Sequence, residues 1–343
     1  MALSPSKTHP MEARVAEELP RNDGWQFEPK WDGFRCLAFR KGKTVDLRAK
    51  SGKPLGRYFP ELVAAVGQIA DDRFVLDGEL VIAQGQRLSF DVLQMRLHPA
   101  ESRVRKLSRE TPAILILFDL LQWDDDLTEL PLSERRSKLE QFFKRLKSNP
   151  RFRLSPFTRT RSEAVKWLAR AGRGSLDGVI AKRVDGTYSC GERDMLKVKC
   201  RRTADCVVGG FRYATKEKTV GSLLLGLYDD EGRLNHVGFT SSISQAGRAA
   251  LTKKLERLRG GAGFTGNAPG GPSRWSTERS SEWEPLKPKL VAEVEYDHIT
   301  DDRFRHGTKF LRWRPDKSPK QCTYDQLKQE GSPHAILKKV MGG

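Results

Sequence analysis

The spacing of apolar residues predicts interleaved strands and helices over the first two hundred residues. Cys36–Arg40 and Thr44–Leu47 favour paired strands around a turn at Gly42. Helical spacing runs from Tyr58 to Ile69, and a longer helix is predicted from Ser133. Further strands are predicted at Phe74–Ala83, Ile114–Leu121, Asp177–Lys182 and Met195–Lys199. This order indicates an α+β fold, with antiparallel or mixed sheets and helices packed outside, and not a regular βαβ winding.

The pattern changes after Arg202 to short strands with one helix, near Gln245–Leu258. The strands are predicted at Asp205–Tyr213, Leu223–Tyr228, Leu234–Thr240, Val291–Tyr296 and Phe310–Trp313. A stretch rich in Gly, Pro and Ser runs from Gly260 to Ser273. Five short strands with one helix between them are typical of an OB-type β-barrel. We therefore expect two domains, residues 1–202 and 203–343.

Charge indicates a polyanionic partner, because Lys and Arg number 62 against 44 Asp and Glu, a net charge of +18. Nucleic acid is favoured over a merely well-solvated basic protein. The N-terminus lacks the pattern of a secretory signal, and the longest apolar run, Ala113 to Phe118, is too short to span a membrane. The cysteines are odd in number and lack Cys-x-x-Cys spacing: Cys36, Cys190, Cys200, Cys206 and Cys322. These features predict reduced thiols, no structural zinc and a cytoplasmic location, near the nucleoid when working.

Two segments partly match common nucleotide-binding motifs, but their surroundings in the sequence do not fit those motifs. Gly261, Gly263 and Gly266 have dinucleotide-loop spacing, but a predicted helix precedes them and a Pro/Gly-rich loop follows. Gly52-Lys53 is followed by Pro54 and lacks the upstream glycine of a Walker A loop. Any ATP site is therefore expected to be of another kind.

Lys30 lies in the run Glu28-Pro-Lys-Trp-Asp-Gly-Phe-Arg35, which suits a lysine that attacks phosphorus. Taken alone, this charged pattern is equally typical of a solvated turn. A nucleophilic amine must lose its proton, and neighbouring cations favour that loss. Lys197 and Lys199 have strand spacing and leave one face together, so they can neutralise a phosphate or form a solvated strand face.

Carboxylates and an aromatic residue supply the other parts of a nucleotidyl-transfer site. Asp77 and Glu79 share one side of a predicted strand, and Asp177 begins another. Carboxylates beside phosphate oxygens are what magnesium prefers, although an isolated Asp-Gly is more often a turn. Phe118 could stack on a base, but an aromatic residue in a buried strand is core by default.

Together these segments resemble the ATP-dependent DNA ligases of the covalent nucleotidyltransferase superfamily. The matching pieces occur in family order: Lys30–Arg35, Arg48 with Ser51-Gly52, Asp77-Gly-Glu79, Phe118-Asp119, Asp177–Lys182, Lys197-Val-Lys199 and Arg312-Trp-Arg-Pro-Asp-Lys317. The text around Arg303–His306 and Pro272–Trp275 is most similar to the small stand-alone bacterial ligases called DNA ligase C. The resemblance implies a nucleotidyltransferase (adenylation) domain followed by an OB-fold domain.

The resemblance implies that Lys30 is the residue that carries AMP. The other ATP-binding residues that it implies are Glu28 on adenine, Arg35, Glu79 on the ribose, Phe118 stacked on adenine, and Lys197 and Lys199 on the α-phosphate. Glu79 and Asp177 are the implied metal ligands. Asp177 stands where many relatives carry Glu, so a water-mediated contact is favoured there.

The resemblance also implies residues for DNA and for domain closure. Asp32, Arg35 and Arg48 are expected at the nick, and the closing motif is expected to act on the triphosphate tail through Arg312, Arg314, Asp316 and Lys317. The implied activity is sealing of 3′-OH/5′-phosphate nicks in duplex DNA, with ATP as cosubstrate and Mg²⁺ or Mn²⁺ as the metal ion. The enzyme is expected to be a monomer that acts in repair or recombination, without a membrane partner. An RNA-capping or RNA-ligating enzyme shares this lysine chemistry, and a non-catalytic nucleic-acid-binding protein on the same scaffold is the alternative of another class.

Overall fold

A computed structural model describes residues 3–85, 87–146, 149–171, 176–215, 217–270, 282–297, 299–300, 302–304, 307–327, 336 and 340–341. The chain divides into two compact units. The first comprises residues 1–200 and 332–343, and the second comprises residues 201–331. Described residues Ile336, Val340 and Met341 pack with apolar side chains of the first unit. This packing differs from the expected extension of the second domain to residue 343.

The first unit contains two large sheets. Its strands are β1 Ala13–Val15, β2 Trp25–Trp31, β3 Phe34–Lys41, β4 Thr44–Ala49, β5 Arg73–Val81, β6 Ala83–Gln84, β7 Arg87–Leu88, β8 Ile114–Trp123, β9 Asp125–Asp126, β10 Phe152–Leu154, β11 Leu176–Arg183 and β12 Met195–Lys199. Its helices are α1 Pro60–Gly67, α2 Phe90–Met95, α3 Glu101–Glu110, α4 Leu132–Leu146 and α5 Arg161–Ala169. One sheet has the order β1-β12-β11-β2 and the other β10-β8-β5-β3-β4, with β9 on β8. Each contains one parallel pair among antiparallel ones, as predicted for a mixed sheet.

The longer sheet is buried on both faces, which explains its nearly continuous apolar strands. Leu76 of β5 packs with Phe59 and Phe142 on the helical side. Its neighbour Val75 packs on the opposite side, in a cluster that also contains Tyr188 and Met195 of the β12 region. Because successive side chains of a strand leave opposite faces, both positions must be apolar.

The predicted local elements are present with shifted ends. The β3–β4 hairpin turns at Gly42, whose φ of 56° suits a residue without Cβ. The helix predicted from Tyr58 begins instead at Pro60, because proline fits the first helical turn, where no backbone donor is needed. No helix among the described residues is long and apolar enough to cross a membrane.

The second unit is a small barrel. Its elements are β13 Arg202–Ala214, β14 Glu217–Tyr228, β15 Leu234–Thr240, α6 Arg248–Glu256, β16 Glu284–Pro285, β17 Val291–Tyr296, β18 Ile299–Thr300, β19 Arg303–Phe304 and β20 Lys309–Trp313. The main sheet runs β15-β14-β13-β17-β20. A bridge from Thr240 to Thr308, with a 2.8 Å bond from Thr240 Oγ1 to the Thr308 carbonyl, links the two ends. Closure of this kind leaves fewer unpaired strand edges and confirms the predicted OB-type barrel.

The predicted Gly260–Ser273 loop is described as far as Gly270. Over residues 260–270 the described backbone forms no helix or strand, which excludes a dinucleotide-binding turn there. Residues 271–273 lie outside the described ranges.

Candidate active site

Three neighbouring strands of the shorter sheet bring the predicted lysines and Glu28 to one face. Antiparallel pairing of β2, β11 and β12 produces two adjacent cross-strand rows, Lys30-Gly178-Lys199 and Glu28-Ile180-Lys197. Residues opposite one another in antiparallel strands are nearest neighbours on the same face. Strand register therefore converts three distant sequence segments into one cluster.

Asp177 lies between two of these lysines. Its Oδ2 is 2.5 Å from Lys30 Nζ and 3.4 Å from Lys199 Nζ. The pairing of β11 with β2 shifts register between Leu176 and Gly178, so Asp177 sits at an irregularity. A Cβ at Gly178 would lie 2.1 Å from the Val198 carbonyl, and its φ is 151°. Only glycine permits the close strand approach that brings this carboxylate to both lysines.

Glu28 is held by a buried ion pair at the other end of the same face. Its Oε2 lies 2.8 Å from Lys182 Nζ, and the two side chains are only 2% and 4% exposed. Gln26 donates a 2.9 Å hydrogen bond to the other carboxylate oxygen. Both oxygens therefore have partners, as a buried charge requires.

Phe118 forms the wall contributed by the longer sheet. The pairing of β5 with β8 shifts register around Phe118, between the Asp77–Asp119 and Gly78–Leu117 pairs. The aromatic ring carries Arg35 at 4.6 Å and Lys182 at 4.8 Å from its centroid. Phe118 thus lines the cavity with two cations near its ring, unlike a core residue that has only apolar neighbours.

Asp77 holds the guanidinium of Arg35 in place. Two nitrogens of its guanidinium each donate a 2.5 Å hydrogen bond to this carboxylate. Asp77 is fully buried and also accepts a 2.6 Å bond from the Tyr188 hydroxyl. A bidentate pair of this kind sets the plane of the guanidinium that faces Phe118.

A cavity of about 240 Å³ joins these groups. Its lining includes Glu12, Glu28, Lys30, Arg35, Lys50, Glu79, Phe118, Lys182 and Lys197. Burial raises the pKa of Glu79 to about 7, while the positive charges of Arg35 and Lys30 pull it down. Burial, followed by the charges of Lys30, Lys50 and Lys199, lowers the pKa of Lys197. The cavity therefore combines a buried carboxyl end with a strongly cationic end.

Of the three residues expected at the nick, Arg35 lines the cavity, and Asp32 and Arg48 lie in different surroundings. Asp32 directly follows β2, and its negative charge helps to raise the pKa of Glu79. Arg48 is bound within its own hairpin, donating to Asp46 at 2.6 and 2.9 Å and to the Gly52 carbonyl at 3.1 Å. Lys50, two residues further along the chain, lines the cavity. The role of Arg48 at the nick stays a prediction, and Arg48 does not line this cavity.

The carboxylates fit a metal ion only in part. Among the described residues, no group of three or more His, Cys, Asp and Glu side chains is arranged to hold one. Glu79 lines the cavity, and the oxygen of Asp177 that contacts two lysines is not a free ligand. This donor set fits an ion that takes most of its ligands from phosphates and water, as Mg²⁺ does beside a triphosphate.

The predicted closing motif forms a connected ion-pair cluster within the second unit. Arg314 Nη1 lies 3.0 Å from both oxygens of Asp205, and Lys317 Nζ lies 2.7 Å from Oδ2. Arg314 also pairs with Asp316 at 2.8 Å, which lowers the pKa of Asp316 to about 2. Arg312 pairs with Glu293 at 2.5 Å and remains 65% exposed. Asp205 is the shared anchor of the motif.

Sequence reasoning assigned no role to several residues of these sites, including Gln26, Lys50, Lys182 and Asp205. A signal existed for two of them. Asp205 is a lone acid within the apolar run Ala204–Val208, and Lys182 ends an apolar strand. Such a charge in a buried strand calls for a partner. Gln26 and Lys50 carried no signal, because their roles depend on which strands are neighbours.

Comparison with known proteins shows the family of this chain. The family model "ATP dependent DNA ligase domain" matches residues 5–199, and "ATP dependent DNA ligase C terminal region" matches residues 216–317. The chain is 44% identical to DNA ligase C2 of Mycolicibacterium smegmatis, over 95% of each chain. It is 41% identical to DNA ligase C of Mycobacterium tuberculosis, over 93% of each chain.

A solved structure described as "DNA binding with a minimal scaffold: Structure-function analysis of Lig E DNA ligases" shares the fold. Its TM-score is 0.55 at 17% identity, with 88% of this chain and 99% of that chain covered. The resemblance inferred from the motifs and the fold class are therefore confirmed. This chain belongs to the ATP-dependent DNA ligase family.

Proposed function

We propose that this chain seals nicks in duplex DNA through three displacements at phosphorus, the first at Lys30. The observation that carries this proposal is the position of Lys30 in the wall of a cavity that Glu28, Phe118 and Lys197 also line. Glu28 and Phe118 form the base end, and Lys197 lies at the cationic end. The first unit acts as the adenylation domain and the second unit as the OB-fold domain.

In the first step, Lys30 Nζ attacks the α-phosphorus of ATP and pyrophosphate leaves. A phosphorus–nitrogen bond forms, and the amine gives up its proton. Asp177 Oδ2, 2.5 Å away, is placed to orient Nζ and to take this proton. Lys197 and Lys199 offset the charge that develops on the α-phosphate.

The base end of the cavity is built to select adenine. The ring of Phe118 is available for stacking on a purine, and Glu28 Oε1 and Oε2 can accept from its exocyclic amine. Gln26 and Lys182 fix the Glu28 carboxylate, so it meets the base without rearranging. Glu79 accepts from the ribose hydroxyls when ionised.

In the second step, an oxygen of the 5′-phosphate at the nick attacks the phosphorus of lysyl-AMP, and Lys30 leaves. In the third step, the 3′-hydroxyl attacks that 5′-phosphate, and AMP leaves as the strand is sealed. Asp32 and Arg35 contact the ends of the nick. Glu79, and Asp177 through a water, would hold magnesium or manganese, and such an ion would neutralise charge on the phosphates.

The closing motif acts on the triphosphate tail during the first step. Arg314 and Lys317 share Asp205 as a partner, Asp316 pairs with Arg314, and Arg312 pairs with Glu293. These side chains can therefore be presented together. Because the later steps involve DNA and no triphosphate, this motif is needed for adenylation alone. Lys317→Ala should therefore slow adenylation and spare the sealing of a pre-adenylated nick; equal loss in both assays contradicts this role.

The +18 net charge supports binding of duplex DNA. We further propose that the protein acts as a monomer in the cytoplasm, close to the nucleoid, in repair or recombination. Phosphate contacts release counterions, so nick affinity should fall steeply between 50 and 200 mM salt, by about 10³-fold or more for six contacts. A nick affinity that does not change with salt concentration contradicts electrostatic binding to the duplex.

The decisive experiment is labelling with α-³²P-ATP, followed by a chase with nicked duplex DNA. The wild type should form a protein–AMP adduct that the nick discharges, whereas Lys30→Ala should form none. Lys43→Ala, in the exposed β3–β4 turn, is the matched control and should label normally. An undiminished adduct in Lys30→Ala contradicts the assignment of the nucleophile. Parallel reactions with GTP and with nicked RNA test the RNA-processing alternatives.

A further inference from the structure

The proposed mechanism does not use an ion-pair cluster at the mouth of the cavity, the part that Glu12 and Lys50 line. The third member of the cluster, Arg193, does not line the cavity and is 74% exposed. Glu12 Oε2 lies 2.9 Å from Lys50 Nζ and 3.7 Å from Arg193 Nε. Three distant segments therefore meet at one carboxylate oxygen: the N-terminal segment, the end of the β3–β4 hairpin and the loop before β12. Glu12 and Lys50 both line the cavity that Lys30 lines.

Glu12 is held there by its backbone. Its amide donates a 2.7 Å bond to the Glu192 carbonyl, and its carbonyl accepts a 3.1 Å bond from the Met195 amide. The preceding residue, Met11, is buried, and its amide donates to the Tyr188 hydroxyl at 3.0 Å. The carboxylate is thus placed at the mouth by structure, and its side chain is only 26% exposed.

The charge around Glu12 is that of a phosphate site. Hydrogen bonding from Lys50 and the charges of Lys50, Arg193 and Lys197 lower the pKa of Glu12, so it is an anion at neutral pH. The same lysines crowd one another, since Lys50 and Lys30 both help to lower the pKa of Lys197. Cations that repel one another favour an anion between them. In this structure the anion is a carboxylate of the chain itself.

We propose that Lys50 and Arg193 form a phosphate subsite at the cavity mouth, and that Glu12 is its internal competitor, which an entering phosphate displaces. This inference deepens the proposed ligase function and rests on it. The ligand is a phosphate group of an incoming substrate. It comes either from the triphosphate tail of ATP or from the 5′-phosphate of the nick.

The test uses Glu12→Gln in the full chain, because glutamine keeps the size of the side chain and removes its charge. Glu18→Gln is the matched control, since Glu18 is an exposed glutamate of the same segment, paired with Arg21 at 2.8 Å. Three affinities are measured: inorganic pyrophosphate as an inhibitor of adenylation, nicked DNA with a 5′-phosphate, and nicked DNA with a 5′-hydroxyl.

Removing the competitor should tighten binding of the phosphate that uses this subsite by about fivefold, the ratio expected from a partly exposed ion pair at the upper end of its range. A gain confined to pyrophosphate assigns the subsite to ATP, and a gain confined to the 5′-phosphorylated nick assigns it to DNA. The 5′-hydroxyl nick and Glu18→Gln should change by less than twofold. Adding Lys50→Met should abolish the gain.

The proposal is overturned if Glu12→Gln leaves both phosphate affinities unchanged, or if it strengthens binding of the 5′-hydroxyl nick equally. The wild type separates this failure from failure of the ligase function. A wild type that forms a protein–AMP adduct and discharges it on a nick retains the function, whatever Glu12 does.

Discussion

The buried pair between Glu28 and Lys182 offers a strong test of how the base end of the cavity is built. Lys182→Met keeps the length of the side chain but leaves the Glu28 carboxylate, 2% exposed, with Gln26 as its remaining partner. The charges are 2.8 Å apart. With an effective dielectric constant of about 20 their attraction is about 6 kcal/mol, and desolvation of both groups opposes it.

Loss of one partner leaves an uncompensated buried charge, so Lys182→Met should lower the free energy of unfolding by about 3–5 kcal/mol. Adding Glu28→Gln should restore much of this loss, since the second change removes the stranded charge. The single variant Lys182→Met should also lose affinity for ATP, because Lys182 no longer fixes the Glu28 carboxylate that meets adenine. Urea unfolding measures the first effect, and the concentration dependence of adenylation measures the second.

The control lies on the end of the same strand. Arg183 and Asp185 form a 3.1 Å pair that is 40% and 72% exposed, so Asp185→Asn should leave the free energy of unfolding nearly unchanged. Hydrogen exchange at the amides of β2 and β11 separates unfolding of the first unit from that of the second. A loss in Lys182→Met no larger than in Asp185→Asn refutes the reasoning, as does a double variant that is less stable than Lys182→Met.

Three further predictions follow from the other ionised groups. Asp205→Asn removes the anchor of Arg314 and Lys317, so adenylation should fall at least tenfold while sealing of a pre-adenylated nick persists; equal loss in both assays counts against an anchoring role. Because burial raises the pKa of Glu79 to about 7, it is mainly protonated at pH 6 and ionised at pH 8, so the adenylation rate should rise across this range and Glu79→Gln should flatten the rise. Stability should change in the opposite direction, because the folded chain holds the Glu79 proton more tightly than the unfolded chain does. The contribution of Glu79 to the free energy of unfolding should therefore fall as pH rises from about 4.5 to about 7. Urea unfolding of the wild type and of Glu79→Gln across this pH range measures the change. Finally, Arg48→Gln should change the affinity for nicked DNA less than Lys50→Gln, because Arg48 is bound within its own hairpin and Lys50 lines the cavity. A larger effect of Arg48→Gln in a DNA-binding titration would support a contact between Arg48 and the nick.

Local sequence determined the elements of this protein. The turn at Gly42 located the β3–β4 hairpin, and runs of apolar residues located β5 and β8. The spacing of Lys197 and Lys199 placed both side chains on one face of β12. The order of the charged motifs was enough to identify the ligase family before any distance was known. These inferences hold because strand period and residue chemistry are local properties.

Only the tertiary structure decided which charges meet. Asp177 faces Lys30 because β11 is irregular at that point and Gly178 admits close strands, and neither property is visible in a two-residue spacing. In the same way, pairing across β2 and β11 joins Lys182 to Glu28, and Asp205 joins Arg314 to Lys317. The physical reason is that cross-strand partners depend on register and sheet order, which are set by burial of the whole unit and not by any one segment.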